Sequence, residues 1–357
     1  MPPQARTSMR PEGGGLDLDD YDFALPPECI AQEPAPERDA ARLLHLERSS
    51  GARSHLGVRD LPQRLAPGDL VVANASRVVP ARLRGRKVSG GAVEALILGP
   101  GAAPDRHRAL VRCTGRLRPD LELHFRGGGR ELRARVVSVN KEGEAELAFE
   151  DAASPYAVGE MPLPPYIRRD APRASDFERY QTLFAREPGS VAAPTAGLHW
   201  SPALREALAA RDIGWSEVVL HVGPGTFRPL GPEALATRRL HPEAYALPDE
   251  TARAIDATRQ RGGRVIAVGT TTARVLESCA AGEGRVEAGA GETRLFLAPG
   301  DPFRVVDGLL TNFHLPRSSL LLLVAAFAGR EAVLEAYAEA IERGYRFYSY
   351  GDAMLIL

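Results

Sequence analysis

The segment Glu187–Trp200 places the tightest limits on how this chain folds. It reads Glu-Pro-Gly-Ser-Val-Ala-Ala-Pro-Thr-Ala-Gly-Leu-His-Trp and carries almost no charge. A solvated loop is richer in polar side chains, and Pro194 lacks the N–H group that a regular helix needs. We therefore predict a short buried strand, Ser190–Ala193, that leads into a shaped loop ending at His199.

A helix is predicted directly after this loop. Ser201 is a suitable N-cap, and Pro202 is tolerated in the first helical turn. We expect the helix to cover Ala203–Arg211, with Gly214 as a left-handed cap. A strand, a shaped polar loop and a helix, in this order, form the arrangement in which α/β proteins bind ligands.

Composition limits the class of protein. The chain has 357 residues, 44% hydrophobic and 25% charged, which is ordinary for a globular protein of about two domains. Its three scattered cysteines show no metal-ligand spacing and favour the reducing cytoplasm. The apolar run Leu320–Ala328 is too short to cross a bilayer, so no membrane association is expected. Residues 1–15 are predicted to be a disordered leader.

Positive charge is concentrated in one block. The formal net charge of −1 excludes a globally basic nucleic-acid-binding protein. Between Arg82 and Arg135, however, 13 Arg and Lys stand against 5 Asp and Glu, a local excess of +8. Two interpretations stay open at this point: a surface that contacts a phosphate backbone, or a solvated arginine-rich surface without a partner.

The same block has the pattern of a small β-barrel. Short alternating segments are separated by glycine-rich turns, and no helical period is present. Strands are expected at Ala92–Leu98, Arg108–Cys113, Glu122–Phe125, Leu132–Val139 and Ala145–Phe149. We predict an inserted basic β-barrel domain at residues 81–159, within an α/β catalytic domain of residues 16–80 and 160–357.

Outside the barrel, strands alternate with helices, which predicts a mostly parallel sheet covered by helices. Strands are expected at Leu70–Asn74, Glu217–Val222, Arg264–Val268, Gly308–Asn312 and Tyr345–Tyr350. Polar or glycine-rich residues follow the first four of them. Because the carboxyl ends of parallel strands share one edge of a sheet, we predict a single active site there.

Three histidines at these strand ends, His199, His221 and His314, are the candidates for proton transfer and orientation. A structural role is the alternative for each histidine alone, but three at one edge favour chemistry. No carboxylate or second histidine stands at ligand spacing beside them, so no metal site is predicted. The candidate ligand-binding residues are Asn74, Arg77, Thr195, Gly197, Gly223, Gly225, Thr226, Thr270, Thr271 and Asn312.

Among these, Gly269-Thr270-Thr271-Thr272 opens a predicted helix. Free N–H groups, hydroxyls and the helix dipole suit a carboxylate or a phosphate, and a simple helix cap is the alternative. Two aromatic segments receive structural interpretations: Tyr345–Tyr350 as core and Pro162–Tyr166 as an interdomain hinge.

Taken together, these residues resemble the S-adenosylmethionine:tRNA ribosyltransferase-isomerase family of queuosine biosynthesis. The resemblance runs from about Tyr21 to the C-terminus, and it implies an α/β domain with an inserted barrel. Its most specific blocks are Arg77-Val78-Val79-Pro80-Ala81-Arg82-Leu83, Met161–Ile167, Gly189–His199, Leu220-His221-Val222-Gly223, Ala267-Val268-Gly269-Thr270-Thr271 and Thr311-Asn312-Phe313-His314-Leu315-Pro316.

The resemblance also implies a reaction. The sulfonium of S-adenosylmethionine acidifies the C5′ hydrogens, a base removes one, and adenine departs. The aminomethyl group of preQ1 (7-aminomethyl-7-deazaguanine), at the wobble position of the tRNA anticodon, then attacks, and methionine leaves to give epoxyqueuosine. The implied partners are S-adenosylmethionine, as a co-substrate, and tRNA. No bound cofactor and no metal are implied, and we expect a monomer.

The chain departs from the family's pattern at Ala75, Arg238, Arg294 and Arg317. Two alternatives therefore stay open beside the leading hypothesis. One is a paralogue that uses S-adenosylmethionine on a different acceptor. The other is a tRNA-binding protein without catalytic activity.

Overall fold

The structure, a computed structural model, describes residues 16–140, 143–150, 154–169, 171–227 and 230–357. The predicted leader, residues 1–15, lies outside the described residues. In chain order the strands are β1 (Arg42–Leu46), β2 (Arg53–Gly57), β3 (Leu70–Asn74), β4 (Ser76–Val78), β5 (Arg82–Lys87), β6 (Ala92–Pro100), β7 (Arg106–Cys113), β8 (Glu122–Gly127), β9 (Arg130–Val139), β10 (Glu144–Phe149), β11 (Glu187–Ser190), β12 (Gly214–Leu220), β13 (Arg239–Leu247), β14 (Val265–Val268), β15 (Gly289–Leu295), β16 (Gly308–Asn312) and β17 (Ala353–Ile356).

The α-helices are α1 (Leu61–Arg64), α2 (Ala174–Arg179), α3 (Pro202–Ala209), α4 (Pro232–Thr237), α5 (Asp249–Gln260), α6 (Thr270–Ser278), α7 (Ser319–Ala328) and α8 (Arg330–Glu342). Short 3₁₀ turns cover Leu18–Tyr21, Pro27–Cys29, Arg38–Ala40, Val58–Asp60, Pro155–Val158, Thr195–His199 and Pro224–Phe227.

A nine-stranded sheet has the order β15-β13-β12-β3-β14-β16-β17-β1-β2. Its centre is parallel, because β12, β3, β14 and β16 pair in one direction, and β17 pairs in parallel with β1. The remaining pairs are antiparallel. The predicted α/β fold with an inserted barrel is confirmed, with a mixed sheet whose antiparallel pairs lie mainly toward its edges.

Helices cover both faces of this sheet, which explains the uninterrupted apolar sequence of β3. Leu70 and Val72 pack in the core that holds residues of α5–α8, whereas Val71 and Ala73 pack on the other face with residues of α1 and α3. Each fully buried aliphatic side chain of this kind contributes about 1.5–3 kcal/mol. Helices on both faces leave the strand ends as the place for polar groups.

The basic block forms a closed barrel with the strand order β10-β7-β6-β5-β8-β9. Its interior is filled by alternate apolar side chains such as Leu83, Ile97 and Phe125. Val191, from the segment that follows β11, packs against this barrel core. The loop therefore lies between barrel and sheet. The five predicted barrel strands are found, β5 was not predicted, and the domain bounds stay a prediction.

The predicted strand Ser190–Ala193 is wrong, since the strand in this segment is β11, which ends at Ser190 and forms a two-stranded sheet with β4. The Ser190 hydroxyl donates to Ser76 Oγ at 2.9 Å and accepts from the Val222 N–H at 2.9 Å. The Val191 N–H donates to the Val222 carbonyl at 3.0 Å. These bonds join the segment to the residues after β12 and not to a further strand.

Two further boundaries differ from the prediction. Helix α3 ends at Ala209, and the left-handed residue after it is Asp212, with φ 55°, while Gly214 opens β12. The Gly214 N–H donates to the Asp69 carbonyl at 2.8 Å, so this glycine already belongs to the sheet. The strand is thus shifted toward the N-terminus relative to the predicted Glu217–Val222.

The predicted strand Tyr345–Tyr350 is also wrong. Tyr348 has φ 71°, and the Gly351 N–H donates to the Tyr348 carbonyl at 3.0 Å, which closes a turn. The last strand is β17, whose four residues are all buried between β16 and β1.

Candidate active site

A cavity of about 720 Å³ lies between the carboxyl ends of the central strands and the barrel. Its lining combines residues that follow β11, β12, β14 and β16 with residues of β6, β7 and β10. A volume of this size is in the range of small-molecule sites, about 300–1,000 Å³. The strand ends thus meet at one edge of the sheet, as predicted, and they form one wall of a cleft whose other wall is the barrel.

Nine of the predicted site residues line this cavity: His221, His314, Thr195, Gly223, Gly225, Thr226, Thr270, Thr271 and Asn312. The other four predicted residues, Asn74, Arg77, Gly197 and His199, lie outside its lining.

Asn74 lies behind the cavity wall and ties three elements together. Its Nδ2 donates to the Leu220 carbonyl at 2.9 Å and to Thr271 Oγ1 at 3.4 Å. Its Oδ1 accepts from the N–H groups of Ser76 and Leu220, both at 3.0 Å. A buried side chain with this set of bonds fixes the ends of β3, β12 and α6 relative to one another.

Arg77 and Gly197 have other surroundings. Arg77 is exposed on β4, opposite Pro188 of β11. A Cβ atom at Gly197 would lie 2.7 Å from Thr182 Cγ2 and 2.9 Å from Phe184 Cζ, so close packing requires a glycine there.

Helix α6 points its N-terminus at the cavity. Thr270 and Thr271 line the cavity, while Thr272 turns inward and donates to the Val268 carbonyl at 2.7 Å. Gly269 has φ +87°, a conformation that favours glycine, and its N–H donates to the Leu310 carbonyl at 2.7 Å. The end of this helix presents two hydroxyls and a partial positive charge, which suits a carboxylate or a phosphate.

His221 is the histidine best placed for proton transfer. It follows β12, lines the cavity and lies against Gly189, where a Cβ atom would be 2.8 Å from its Nδ1. That nitrogen has no hydrogen-bond partner in the described part of the chain. Burial lowers the pKa of His221 below its usual value, and the nearby Glu187 opposes this shift. The ring is therefore neutral at pH 7 and able to accept a proton.

His314 and His199 are held by hydrogen bonds. His314 Nε2 lies 2.8 Å from Thr311 Oγ1, and burial lowers the pKa of this histidine to about 3. His199 Nε2 lies 3.3 Å from Asn312 Nδ2, and burial, followed by the charge of Arg346, lowers its pKa to about 4. The expected convergence therefore holds for His221 and His314. The 3₁₀ turn Thr195–His199 brings Thr195 to the cavity and turns His199 away from it.

A buried ion pair lines the cavity and was not predicted. Arg274, one turn into α6, pairs with the Glu243 carboxylate, and both side chains are buried. The second oxygen of Glu243 accepts from the Gly223 N–H at 2.9 Å, and Arg274 Nε donates to the Leu295 carbonyl at 3.0 Å. The sequence could have indicated Arg274, because it follows Thr271 by three positions and Thr270 by four, and residues at these spacings share one face of a helix.

The opposite side of the cavity belongs to the barrel. Leu98, Pro100 and Leu110 provide apolar surface, and Arg108 pairs with Glu144 at 3.5 Å. The sequence indicated a basic barrel, but only the assembled structure shows that the barrel forms part of the site.

Four tyrosines line the cavity: Tyr156, Tyr166, Tyr180 and Tyr348. Two of them come from the segments that received structural interpretations, Tyr166 from Pro162–Tyr166 and Tyr348 from Tyr345–Tyr350. The interpretation of Tyr345–Tyr350 as core is confirmed, since Tyr345, Phe347 and Tyr348 are buried in the main hydrophobic core; Tyr348 in addition lines the cavity.

Two negative findings apply to the described ranges of the chain. They contain no group of three or more histidine, cysteine or acidic side chains arranged to hold a metal ion. None of their helices combines the length and the apolar character needed to span a bilayer.

Comparison with known proteins gives consistent results. Residues 18–356 match the family model described as queuosine biosynthesis protein. The S-adenosylmethionine:tRNA ribosyltransferase-isomerase of Anaeromyxobacter sp. (strain K) is 52% identical over 347 residues, which cover 95% of this chain and 99% of that protein. The protein of the same name from Gloeobacter violaceus is 52% identical over 344 residues, covering 95% of each chain.

Among solved structures, the crystal structure of S-adenosylmethionine tRNA ribosyltransferase from Thermotoga maritima is similar to this chain. The two are 38% identical in sequence, with a TM-score of 0.55, and the match covers 95% of this chain and 100% of that one.

Proposed function

The chain belongs to the family of queuosine biosynthesis proteins, and on that premise we propose that it is an S-adenosylmethionine:tRNA ribosyltransferase-isomerase. It transfers and isomerises the ribosyl moiety of S-adenosylmethionine onto preQ1 at the wobble position of tRNA. Adenine and methionine are released, and the tRNA carries epoxyqueuosine. The observation that carries this proposal is the cavity of about 720 Å³ in which nine predicted site residues meet.

In this proposal His221 is the base that removes a C5′ proton from S-adenosylmethionine. A base must reach the substrate in its neutral form, and His221 combines a lowered pKa with a place in the cavity lining. His314 acts in orientation, because its ring is tied to Thr311. His199 acts as a support for Asn312. The three histidines, which the sequence presented as equal candidates, therefore have different roles in this proposal.

The methionine part of the co-substrate binds at the start of α6. Thr270 and Thr271 supply hydroxyls beside the positive end of the helix dipole, and Asn74 holds Thr271 in place. Gly223 lets the backbone approach the ligand closely, whereas the missing side chain of Gly225 makes room for His241, whose Cδ2 would lie 2.9 Å from a Cβ atom there. No bound cofactor takes part; S-adenosylmethionine is a co-substrate.

The departures from the family's pattern are compatible with catalysis. Ala75, Arg238, Arg294 and Arg317 all lie outside the cavity lining. Arg238 pairs with Asp301 at 2.5 Å, and Arg317 pairs with Asp22 at 2.5 Å. Because none of the four residues lines the cavity, the changes leave its groups in place.

The tRNA approaches across the barrel, with its anticodon loop at the mouth of the cavity. Arg108, Leu110 and Arg112 alternate along β7 and share its outer face, and the first two line the cavity. Arg112 has no ion-pair partner among the described residues, so its charge is available for a phosphate. One chain supplies both walls, and we propose a monomer that works in the cytoplasm.

The test is incubation with S-adenosylmethionine and preQ1-bearing tRNA. Release of adenine and methionine is followed together with the mass of the anticodon nucleoside. Both products with an epoxyqueuosine mass are expected. Adenine without a modified tRNA would indicate another acceptor. Salt-sensitive tRNA binding without turnover would indicate a binding protein.

A further inference from the structure

Tyr166 and Tyr348 form an aromatic surface on the cavity. Their ring centroids are 4.6 Å apart, the ring planes meet at 45°, and both residues line the cavity. The Tyr166 hydroxyl lies 2.6 Å from Ser349 Oγ, which fixes the orientation of that ring. Burial raises the pKa of Tyr166 to about 12, so its hydroxyl stays protonated at neutral pH. The pair is a rigid, uncharged surface.

The backbone of Tyr348 is strained. Its φ of 71° lies in the left-handed region, where a bulky side chain is disfavoured and glycine is not. Three hydrogen bonds hold it there: the Tyr348 N–H donates to the Phe313 carbonyl at 3.1 Å, and the Tyr348 carbonyl accepts from Asn312 Nδ2 at 2.9 Å and from the Gly351 N–H at 3.0 Å. Strain held by surrounding bonds is typical of functional sites.

These observations also give a role to two predicted site residues. Asn312 lines the cavity but directs its Nδ2 to the Tyr348 carbonyl, and His199 Nε2 lies 3.3 Å from the same nitrogen. The network of His199, Asn312 and Tyr348 therefore sets the position of an aromatic ring.

We propose that Tyr166 and Tyr348 form a stacking site for a flat bicyclic base of purine shape. This inference rests on the proposed function, in which two such bases enter the cavity: the adenine of S-adenosylmethionine and the deazaguanine of preQ1. The two rings are tilted against each other and both line the cavity. An aromatic side chain of this kind stacks on the flat face of a base, and this contact matches a bicyclic ring better than it matches a compact cation. A base held on this surface is oriented relative to His221 and to the start of α6.

The decisive variant is Tyr348→Gly, because it removes the ring and suits the φ of +71°. Tyr348→Phe keeps the ring. Tyr350→Leu is the matched control, since Tyr350 is a buried tyrosine of the same turn that lies outside the cavity lining. Thermal unfolding of each variant is recorded first; Tyr348→Gly is expected to unfold earlier than the wild type, because the ring it removes is buried in the core, and binding is compared at a temperature at which every variant is folded.

Binding of adenine, free preQ1 base and S-adenosylmethionine is then measured by titration calorimetry. Tyr348→Gly is expected to weaken binding of one base by about 10-fold or more, with Tyr348→Phe and Tyr350→Leu near the wild type. Weakened adenine binding assigns the site to the co-substrate, and weakened preQ1 binding assigns it to the tRNA.

Three outcomes would overturn the stacking site. In the first, both bases bind Tyr348→Gly as tightly as they bind the wild type. In the second, only S-adenosylmethionine binding weakens, which would indicate a contact with the sulfonium. In the third, the wild type binds neither base. Failure of the proposed function is a separate result, because it is the absence of adenine release by the wild type with both substrates present.

Discussion

The two walls of the cavity differ in how firmly their polar groups are held. On the sheet wall, defined by Thr270, Thr271 and His221, the groups lie at strand and helix ends; Thr270 is 5% exposed. On the barrel wall, defined by Pro100, Arg108, Leu110 and Glu144, the charges are at the surface, and the Arg108 side chain is 56% exposed.

This difference indicates that the two walls have different functions. Buried, fixed groups orient a small molecule for reaction, because the cost of positioning them is met during folding. Exposed arginines attract a polyanion over a longer distance, and their effect is screened by salt. We therefore expect changes on the sheet wall to alter the use of S-adenosylmethionine and changes on the barrel to alter the use of tRNA.

The largest of these effects is expected from Thr270→Val combined with Thr271→Val. Valine keeps the shape of threonine but removes the hydroxyls offered to a carboxylate. Hydrogen bonds to charged groups are each worth about 1.5–3 kcal/mol, so we predict a rise in KM for S-adenosylmethionine of about 10- to 100-fold for each hydroxyl and of about 10²- to 10⁴-fold for the double variant. Steady-state kinetics at saturating tRNA measure it.

Thr272→Val is the matched control for this pair. The Thr272 hydroxyl donates to the Val268 carbonyl and is fully buried, so its loss is expected to lower stability and leave KM unchanged. A rise in the KM for tRNA, with that for S-adenosylmethionine unaltered, would contradict the role of the sheet wall.

The pH dependence of kcat/KM distinguishes His221 from His199. The reactive form of a base is neutral, so kcat/KM is expected to rise with pH through the pKa of His221 and to be level above about 6.5. Burial lowers that pKa, which places the acid limb below 6.5; there kcat/KM falls about tenfold per pH unit. A limb near pH 4 would instead indicate His199, whose pKa is about 4.

The smallest effect is expected on the barrel. Arg112→Ala is predicted to weaken tRNA binding a few-fold and to reduce the salt slope of log Kd by about 1, without a change in S-adenosylmethionine binding. Arg126→Ala is the matched control, because Arg126 is paired with Glu131 at 2.8 Å and lies on β8, opposite β7 in the barrel order. Equal losses of tRNA affinity in the two variants would contradict the proposal that tRNA contacts the outer face of β7.

The parts of the fold that follow from local pattern could be predicted. The central strand β3 is apolar on both faces, and the barrel strands alternate between glycine-rich turns. The segment Tyr345–Tyr350 could not be predicted in this way, because aromatic residues favour strands. Its actual turn depends on hydrogen bonds from Asn312 and to Phe313, distant in sequence.

The same distinction applies to the site, of which some features could be predicted from local sequence and others could not. Most of the residues predicted at strand ends line the cavity, since chain order alone places polar groups at one edge. The direction of a side chain did not follow: a single 3₁₀ turn separates Thr195, at the cavity, from His199, behind it. The barrel wall and the pair Arg274–Glu243 depend on contacts between distant segments, and sequence spacing carries little information about these.

In the proposed mechanism the cavity is the catalytic centre and His221 is its base. This assignment is tested by single-turnover adenine release by His221→Ala and His199→Ala, at saturating S-adenosylmethionine and preQ1-bearing tRNA. Loss of a general base costs about 10²- to 10⁴-fold, so this loss is predicted for His221→Ala, with S-adenosylmethionine binding retained. His199→Ala, which affects only the support of Tyr348, is predicted to stay within about 10-fold of the wild type. A folded His221→Ala protein that releases adenine at the wild-type rate would contradict the account.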